Sequence, residues 1–134
     1  MKKLVIFYSY TGNTKQHAQI VAQQENADIV EIKDLKRPST AGAYAIAAIR
    51  KKQPIEQIHM DYSAYDRIII MSPVWGLGPA PAVDNVIEQL PSGKRFEFTA
   101  VGGDKTYRKQ FVGVVEKLAK RSGAILDKFD YVQM

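Results

Sequence analysis

The sequence predicts an α/β fold built on a mainly parallel sheet, and three observations carry that expectation. Short apolar blocks of strand type alternate with blocks of helical spacing along the whole chain, the signature of successive βα units. The third strand block, Arg67-Ile68-Ile69-Ile70-Met71-Ser72, is almost unbroken apolar sequence, as expected of a central strand covered on both faces. Three strand blocks are each followed by a loop rich in glycine or hydroxyls: residues 9–14, 73–78 and 102–107. In a parallel sheet such loops share one edge of the molecule, where ligands bind at the point of strand-order reversal.

The elements follow in order. Residues 3–8 form the first strand, and Ala18, Val21 and Ala22 mark a helix from Thr14 to Gln24. Ile29 to Ile32 reads as a second strand. Pro38 and Ser39 mark a loop, after which Thr40 caps an alanine-rich helix to Lys52, with Tyr44, Ala45 and Ala48 on one face and Pro54 ending it. Asp61 is placed to cap a short turn before the third strand at 67–72. Pro79 and Pro81 open a third helix, because proline is tolerated in a first helical turn. In that helix Val83, Val86, Ile87 and Leu90 repeat at helical spacing. Phe96 to Val101 is the fourth strand. Phe111, Val114, Val115 and Leu118 mark the fourth helix, Gly123 its C-terminal cap, and Ile125 to Val132 a fifth strand.

Composition bounds the function. The 134 residues suit one domain with a sizeable core, and 46% hydrophobic with 25% charged residues is ordinary for a globular protein. There is no cysteine, which removes disulfides, thiolate nucleophiles and cysteine-held metals. His17 and His59 stand apart without metal-ligand spacing, so no metal site is expected. Met1-Lys2-Lys3 and the following apolar block are too short for a signal peptide, and no stretch is long enough to span a membrane. A cytoplasmic protein is the expectation. The net charge of +5 favours anionic partners or cofactors. Arg50-Lys51-Lys52 reads as a helix C-terminal complement to the macrodipole rather than a nucleic-acid patch, and no nucleic-acid motif accompanies it.

The turn Ser9-Tyr10-Thr11-Gly12-Asn13-Thr14 is the most informative stretch. A helix N-terminus presents outward N–H groups with partial positive charge, a ready anion site. Gly12 allows close backbone approach, and three hydroxyls and an amide add donors. The simpler alternative is a Thr or Asn that merely caps the helix. With Trp75 in the second loop, and Asp104 and Tyr107 in the third, the edge suits a flat, phosphorylated, heteroaromatic ligand.

At this point the sequence resembles the flavodoxins and flavodoxin-like FMN proteins. The first turn is similar to their phosphate loop. Ser72-Pro73-Val74-Trp75-Gly76 followed by Pro79-Ala80-Pro81 is similar to the second flavin loop, and Gly103-Asp104 with Tyr107 loosely resembles the third. The strand–helix rhythm matches over nearly the whole chain. The resemblance implies a single flavodoxin-like domain over residues 1–134, a three-layer sandwich with a five-stranded parallel sheet of order 2-1-3-4-5. It implies FMN as cofactor, held by Ser9, Tyr10, Thr11, Gly12, Asn13, Thr14, Pro73, Val74, Trp75, Gly76, Gly102, Gly103, Asp104 and Tyr107. Trp75 would stack on the isoalloxazine ring, or else sit in the core. Tyr107 would flank the ring, or else lie on the surface. Asp104 would accept from ring N3–H, or else cap a helix. A peptide beside flavin N5 would belong to Gly76 or Gly78.

The resembled function is electron transfer, as a carrier or as a small NAD(P)H-dependent flavin or quinone reductase, with no residue needed as acid, base or nucleophile. The other reading is a non-catalytic binding module whose flavin site has decayed. The P-loop motif G-x-x-x-x-G-K-[ST] and the nucleophile elbow G-x-S-x-G are both absent. Two departures stand out: the chain is basic, and it lacks the helix that follows the fifth strand in the family. That absence predicts a fourth strand with Phe96, Phe98 and Ala100 packed on the third and fourth helices and Glu97 and Thr99 facing water or a second subunit. An exposed apolar patch near the fifth strand would then drive homodimerisation.

Overall fold

The computed structural model describes residues 1–103 and 105–133. Five strands pair in parallel in the order β2-β1-β3-β5-β6. They are β1 (Lys3–Phe7), β2 (Asp28–Glu31), β3 (Arg67–Trp75), β5 (Arg95–Val101) and β6 (Ile125–Val132). The two-residue β4 (Gly78–Pro79) folds back antiparallel on the end of β3. With that ribbon left out of the count, the order is the 2-1-3-4-5 expected. The helices are α1 (Asn13–Glu25), α2 (Thr40–Ile49), α3 (Pro81–Gln89) and α4 (Arg108–Ser122). Asp61 caps the short turn Tyr62–Ala64, as its position predicted.

Side-chain alternation sorts the strands onto two cores. On one face Val5, Phe7, Ile69, Met71 and Val101 meet Ala18 and Ala22 of α1. On the other, Leu4, Ile6, Ile68, Ile70, Phe96 and Phe98 pack with Val83, Val86 and Ile87 of α3 and Phe111, Val115 and Leu118 of α4. Phe98 and Phe129 stack at 5.7 Å between ring centres, with Phe111 meeting Phe129 edge-on at 5.3 Å.

The fourth predicted strand, now β5, divides as expected. Phe96, Phe98 and Ala100 are buried, while Glu97 and Thr99 are half-exposed on the opposite side. That side is charged rather than apolar. Arg67 donates to Glu97 at 2.5 and 3.0 Å and to Glu25 at 2.5 Å, and Lys3 reaches Glu25 at 3.2 Å. Lys128 and Asp130 of β6 stand opposite Glu97 and Thr99 and lie 3.6 Å from each other. The exposed side of β5 and β6 therefore presents charge where an apolar patch was expected.

Two further expectations are corrected. Strand β3 runs on to Trp75, so Pro73, Val74 and Trp75 are strand residues and not loop. Pairing with β4 holds Val74 and Trp75 extended, and Pro73 pairs with Val101 of β5. The second helix stops at Ile49 instead of Lys52, because Arg50 turns left-handed (φ 53°) and Lys51 N–H closes on Ile46 O at 3.1 Å. Tyr44, Ala45 and Ala48 are the outward side of that helix, whereas Ala43, Ile46 and Ala47 face inward.

Phe98→Ala removes a fully buried ring from the larger core and should cost about 3–5 kcal/mol in a urea titration, whereas Thr99→Ala, one residue on, should change stability by less than about 0.5 kcal/mol. Equal costs at the two positions would contradict the face assignment.

Candidate functional site

The first turn leaves the buried strand β1 at Phe7 and enters α1 at Asn13. Its cap residue is Gly12, at φ 105°, and no side chain caps the helix. Neither Thr nor Asn takes the capping role that a simpler loop would give it. The first-turn N–H groups have no intrahelical acceptor by geometry. No acidic side chain lies in that turn to compete for them. By contrast α2 is capped in the ordinary way, Ser39 Oγ accepting from Gly42 N–H at 3.1 Å. Ser9 Oγ accepts from Gly12 N–H at 3.1 Å, bracing the turn while keeping its own proton to donate. A Cβ built on Gly12 would meet nothing within 4 Å, so the backbone there faces open space. Thr11, Gly12 and Asn13 are exposed, while Thr14 is buried under the turn.

Beside this turn lies a cavity of about 350 Å³ lined by Tyr10, Thr11, Val74, Trp75 and Gly76 together with Thr40, Ala43, Tyr44 and Ala47 of α2. Trp75 is half-buried at this cavity and packs against the edge of the larger core. Its indole meets the rings of Tyr8 and Tyr10 nearly at right angles, at 5.8 and 5.5 Å. Gly76 begins the two-residue turn between β3 and β4 at φ 68°, with open space where a Cβ would be. Gly78 differs: a Cβ there would come within 3.2 Å of Arg50 and of Val114. Of the two glycines singled out for a turning peptide, only Gly76 has room.

Polar contacts behind the walls hold them in place. Tyr10 donates to Pro38 O at 2.6 Å, and Arg37 donates to Tyr10 O at 2.7 Å with its guanidinium 3.9 Å above the Tyr10 ring. Tyr8 donates to Asp34 at 2.8 Å, and buried Gln53 donates to both Tyr8 OH and Asp34. Burial pushes the Asp34 carboxyl and the Tyr8 phenol both upward. Ser72, fully buried, accepts from Ala80 N–H at 3.0 Å and so ties the start of α3 to the strand. Arg50 donates to Asp84 of α3 at 2.7 and 2.8 Å and to the Pro79 carbonyl of β4. One guanidinium thus joins α2, the ribbon and α3. Burial drives the Asp84 carboxyl up to about 6, further than the neighbouring Arg50 pulls it down.

The third loop is placed differently. Gly102 N–H donates to Val132 O at 2.7 Å, and Gly103 sits at φ 80° where a Cβ would strike Val74 at 2.7 Å. Gly103 is therefore a close-packing position against the second loop. Pro73 pairs with Val101 in the sheet. Tyr107 is exposed on a short turn at Lys105–Tyr107 and does not line the cavity. Asp104 lies outside the described residues. The α2 wall was missed in the sequence although its signal is there: Thr40, Ala43, Tyr44 and Ala47 repeat at i, i+3, i+4 and i+7. Among the described residues no three His, Cys, Asp or Glu side chains cluster to hold a metal, and no helix is long and apolar enough to cross a membrane.

No protein-family model matches the chain, and no curated protein matches it significantly. Solved structures do. A flavoprotein from Lactobacillus acidophilus, crystallised with FMN, is 23% identical with a TM-score of 0.79, over 97% of this chain and 92% of that one. A Bacteroides uniformis protein assigned as a flavoprotein is 19% identical with a TM-score of 0.83, over 98% and 90% of the two chains. A short-chain flavodoxin associated with a bacterial microcompartment is 18% identical with a TM-score of 0.52, over 99% and 86%. The fold is thus flavodoxin-like.

The Asp84 carboxyl gives a pH test. Its pKa in the fold is raised to about 6 from 3.8, so the folded state holds the proton longer than the unfolded chain does. The group therefore favours folding most at low pH, and that contribution is lost as pH rises from about 4 to about 6. Relative to Asp84→Asn, the native chain should lose up to about 3 kcal/mol across that window and stay level above it. Urea unfolding of both chains at a series of pH values measures this, and a rise in relative stability over the same window would contradict it.

Proposed function

We propose that the chain is a single-domain FMN-binding redox protein, exchanging electrons with a partner protein or a nicotinamide through a non-covalently held flavin. The observation that carries this reading is the uncapped N-terminus of α1, set in a hydroxyl-rich turn directly beside an aromatic-walled cavity. An anionic group suits the turn, because the first-turn N–H groups of α1 have no intrahelical acceptor and no acidic side chain lies in that helical turn. A flat ring suits the cavity, because Trp75 and Tyr44 supply aromatic wall and Ala43, Ala47 and Gly76 leave space. The FMN complex of the Lactobacillus acidophilus flavoprotein supports the choice of ligand.

In this reading the N–H groups at the start of α1, with the hydroxyls of Ser9, Thr11 and Thr14 and the Asn13 amide, hold the phosphate. Gly12 keeps the backbone bare where the phosphate approaches. Trp75, steadied by the rings of Tyr8 and Tyr10, offers the ring a plate. Val74, held by Gly103 behind it, and Gly76 complete that wall. The flavin supplies the one- or two-electron chemistry; the protein orients it and sets its polarity. No side chain at this edge is required as a general acid, base or nucleophile.

Absorbance and fluorescence titration with FMN tests the reading. Trp75 is the one tryptophan in the sequence, so its emission should be strongly quenched on binding. Thr14→Ala should weaken FMN by about tenfold, the worth of one hydrogen bond to a charged group. Gly12→Val should weaken it more, with circular dichroism showing the fold retained. Full tryptophan emission in excess FMN would remove Trp75 from the site, and a chain that FMN cannot titrate would leave only the binding-module reading.

A further inference from the structure

The positive charge of this protein is not spread over its surface. Take the loops that follow the parallel strands, each with the first three residues of the helix after it. The segments 8–15, 32–42 and 102–110 hold seven basic residues, Lys15, Lys33, Lys36, Arg37, Lys105, Arg108 and Lys109, against two acidic ones, Asp34 and Asp104. The loop after β3 carries no charge between Ser72 and Val83. The rest of the chain has twelve basic and twelve acidic residues, so the whole excess of +5 belongs to one edge.

Ion pairing sharpens the contrast. The pairs use Lys3, Arg50, Lys52, Arg67, Arg95, Arg121 and Lys128, all from outside these loops. None of the seven loop-edge cations forms an ion pair among the described residues, and all seven are exposed. Asp34 is occupied by Tyr8 and Gln53. Arg37 and Arg108 spend their hydrogen bonds on neutral carbonyls, at Tyr10 and Phe129, and keep their charge.

The layout is too wide for a small anion. The basic loops follow β2, β1 and β5, and in the sheet order β2 and β5 stand three strand spacings apart, roughly 14 Å. The uncharged β3 loop lies between them. On the same loops and on α2 lie four exposed apolar side chains, Leu35, Tyr44, Leu77 and Tyr107, interspersed with the cations and the uncharged β3 loop. Exposed aromatic and apolar side chains among charged ones are what protein interfaces are made of. We propose that this edge docks an acidic surface of a partner protein, with the cations steering the encounter and the interspersed apolar side chains making contact. The charge argument stands without the cofactor; that the partner is a redox partner rests on the function proposed above.

The test uses binding and not electron transfer, so it reads the same whether or not the chain takes FMN. The probes are an acidic plant-type ferredoxin, a basic cytochrome c and a short DNA duplex, each titrated into the isotopically labelled full chain and followed by NMR. Ferredoxin should shift the resonances of Lys15, Lys36, Lys105 and the flanking Leu77 and Tyr107, and its affinity should fall about tenfold between about 20 and about 200 mM salt. Lys36→Glu, Lys105→Glu and Lys109→Glu together should abolish that binding and create binding of cytochrome c. Reversal of Lys117 and Lys120, exposed on the far part of α4, should change neither. Binding of cytochrome c by the native chain, ferredoxin shifts located elsewhere, or no salt-dependent binding would overturn the proposal. A duplex bound more tightly than ferredoxin at the same edge would assign it to nucleic acid instead.

Discussion

The cavity depends on one buried carboxylate. Asp84 sits in the first turn of α3, nearly out of water, and an isolated charge there would be costly. Arg50 answers it from the end of α2 with two hydrogen bonds and reaches the β4 carbonyl with a third. To do so, Arg50 adopts a left-handed backbone that normally belongs to glycine, at a cost of about 1 kcal/mol. Glycine would suit the backbone and lose the guanidinium. The residue at this helix end is thus chosen by its side chain and not by its φ angle. Helix α2 has little else to hold it, since Ala43 is its one buried residue. One wall of the cavity is therefore kept in place by a desolvated ion pair more than by hydrophobic area.

Much of the fold was legible because its signals are local. Strands β1 and β3 announce themselves by apolar runs, and α3 and α4 by spaced Val, Ile, Leu and Phe. Even the polarity split of β5 could be read, since alternation along a strand needs no knowledge of its neighbours. Helix α2 was read less well for a physical reason. Half of its residues are alanine, whose small side chain marks no face clearly, and its end depends on Asp84, thirty-four residues away. The β4 ribbon was invisible for a related reason. Two residues carry no periodicity, and their pairing with Val74 and Trp75 exists only because the chain doubles back at Gly76.

The site divides the same way. The first turn was readable because an anion cradle is made of contiguous residues, and its lack of a side-chain cap turns composition into geometry. Trp75 could be found but its surroundings could not, because Tyr8 and Tyr10 approach it from another strand's end. The Tyr8–Asp34–Gln53 group joins three separated segments, and nothing in any of them signals the others. Reading the half-exposed side of β5 required more than alternation. Its polar residues were seen, but that Arg67 would bind Glu25 and Glu97 together follows from the packing of α1 and the pairing of β3 with β5.

Gly103 carries a consequence beyond its own loop. With no side chain, it lets the third loop rest against Val74, whose other neighbours are Trp75 and the cavity. Any side chain at position 103 would press on Val74 and, through it, on the tryptophan wall of a cavity that residue 103 does not line. The shape of that wall is thus set in part by an atom that Gly103 lacks.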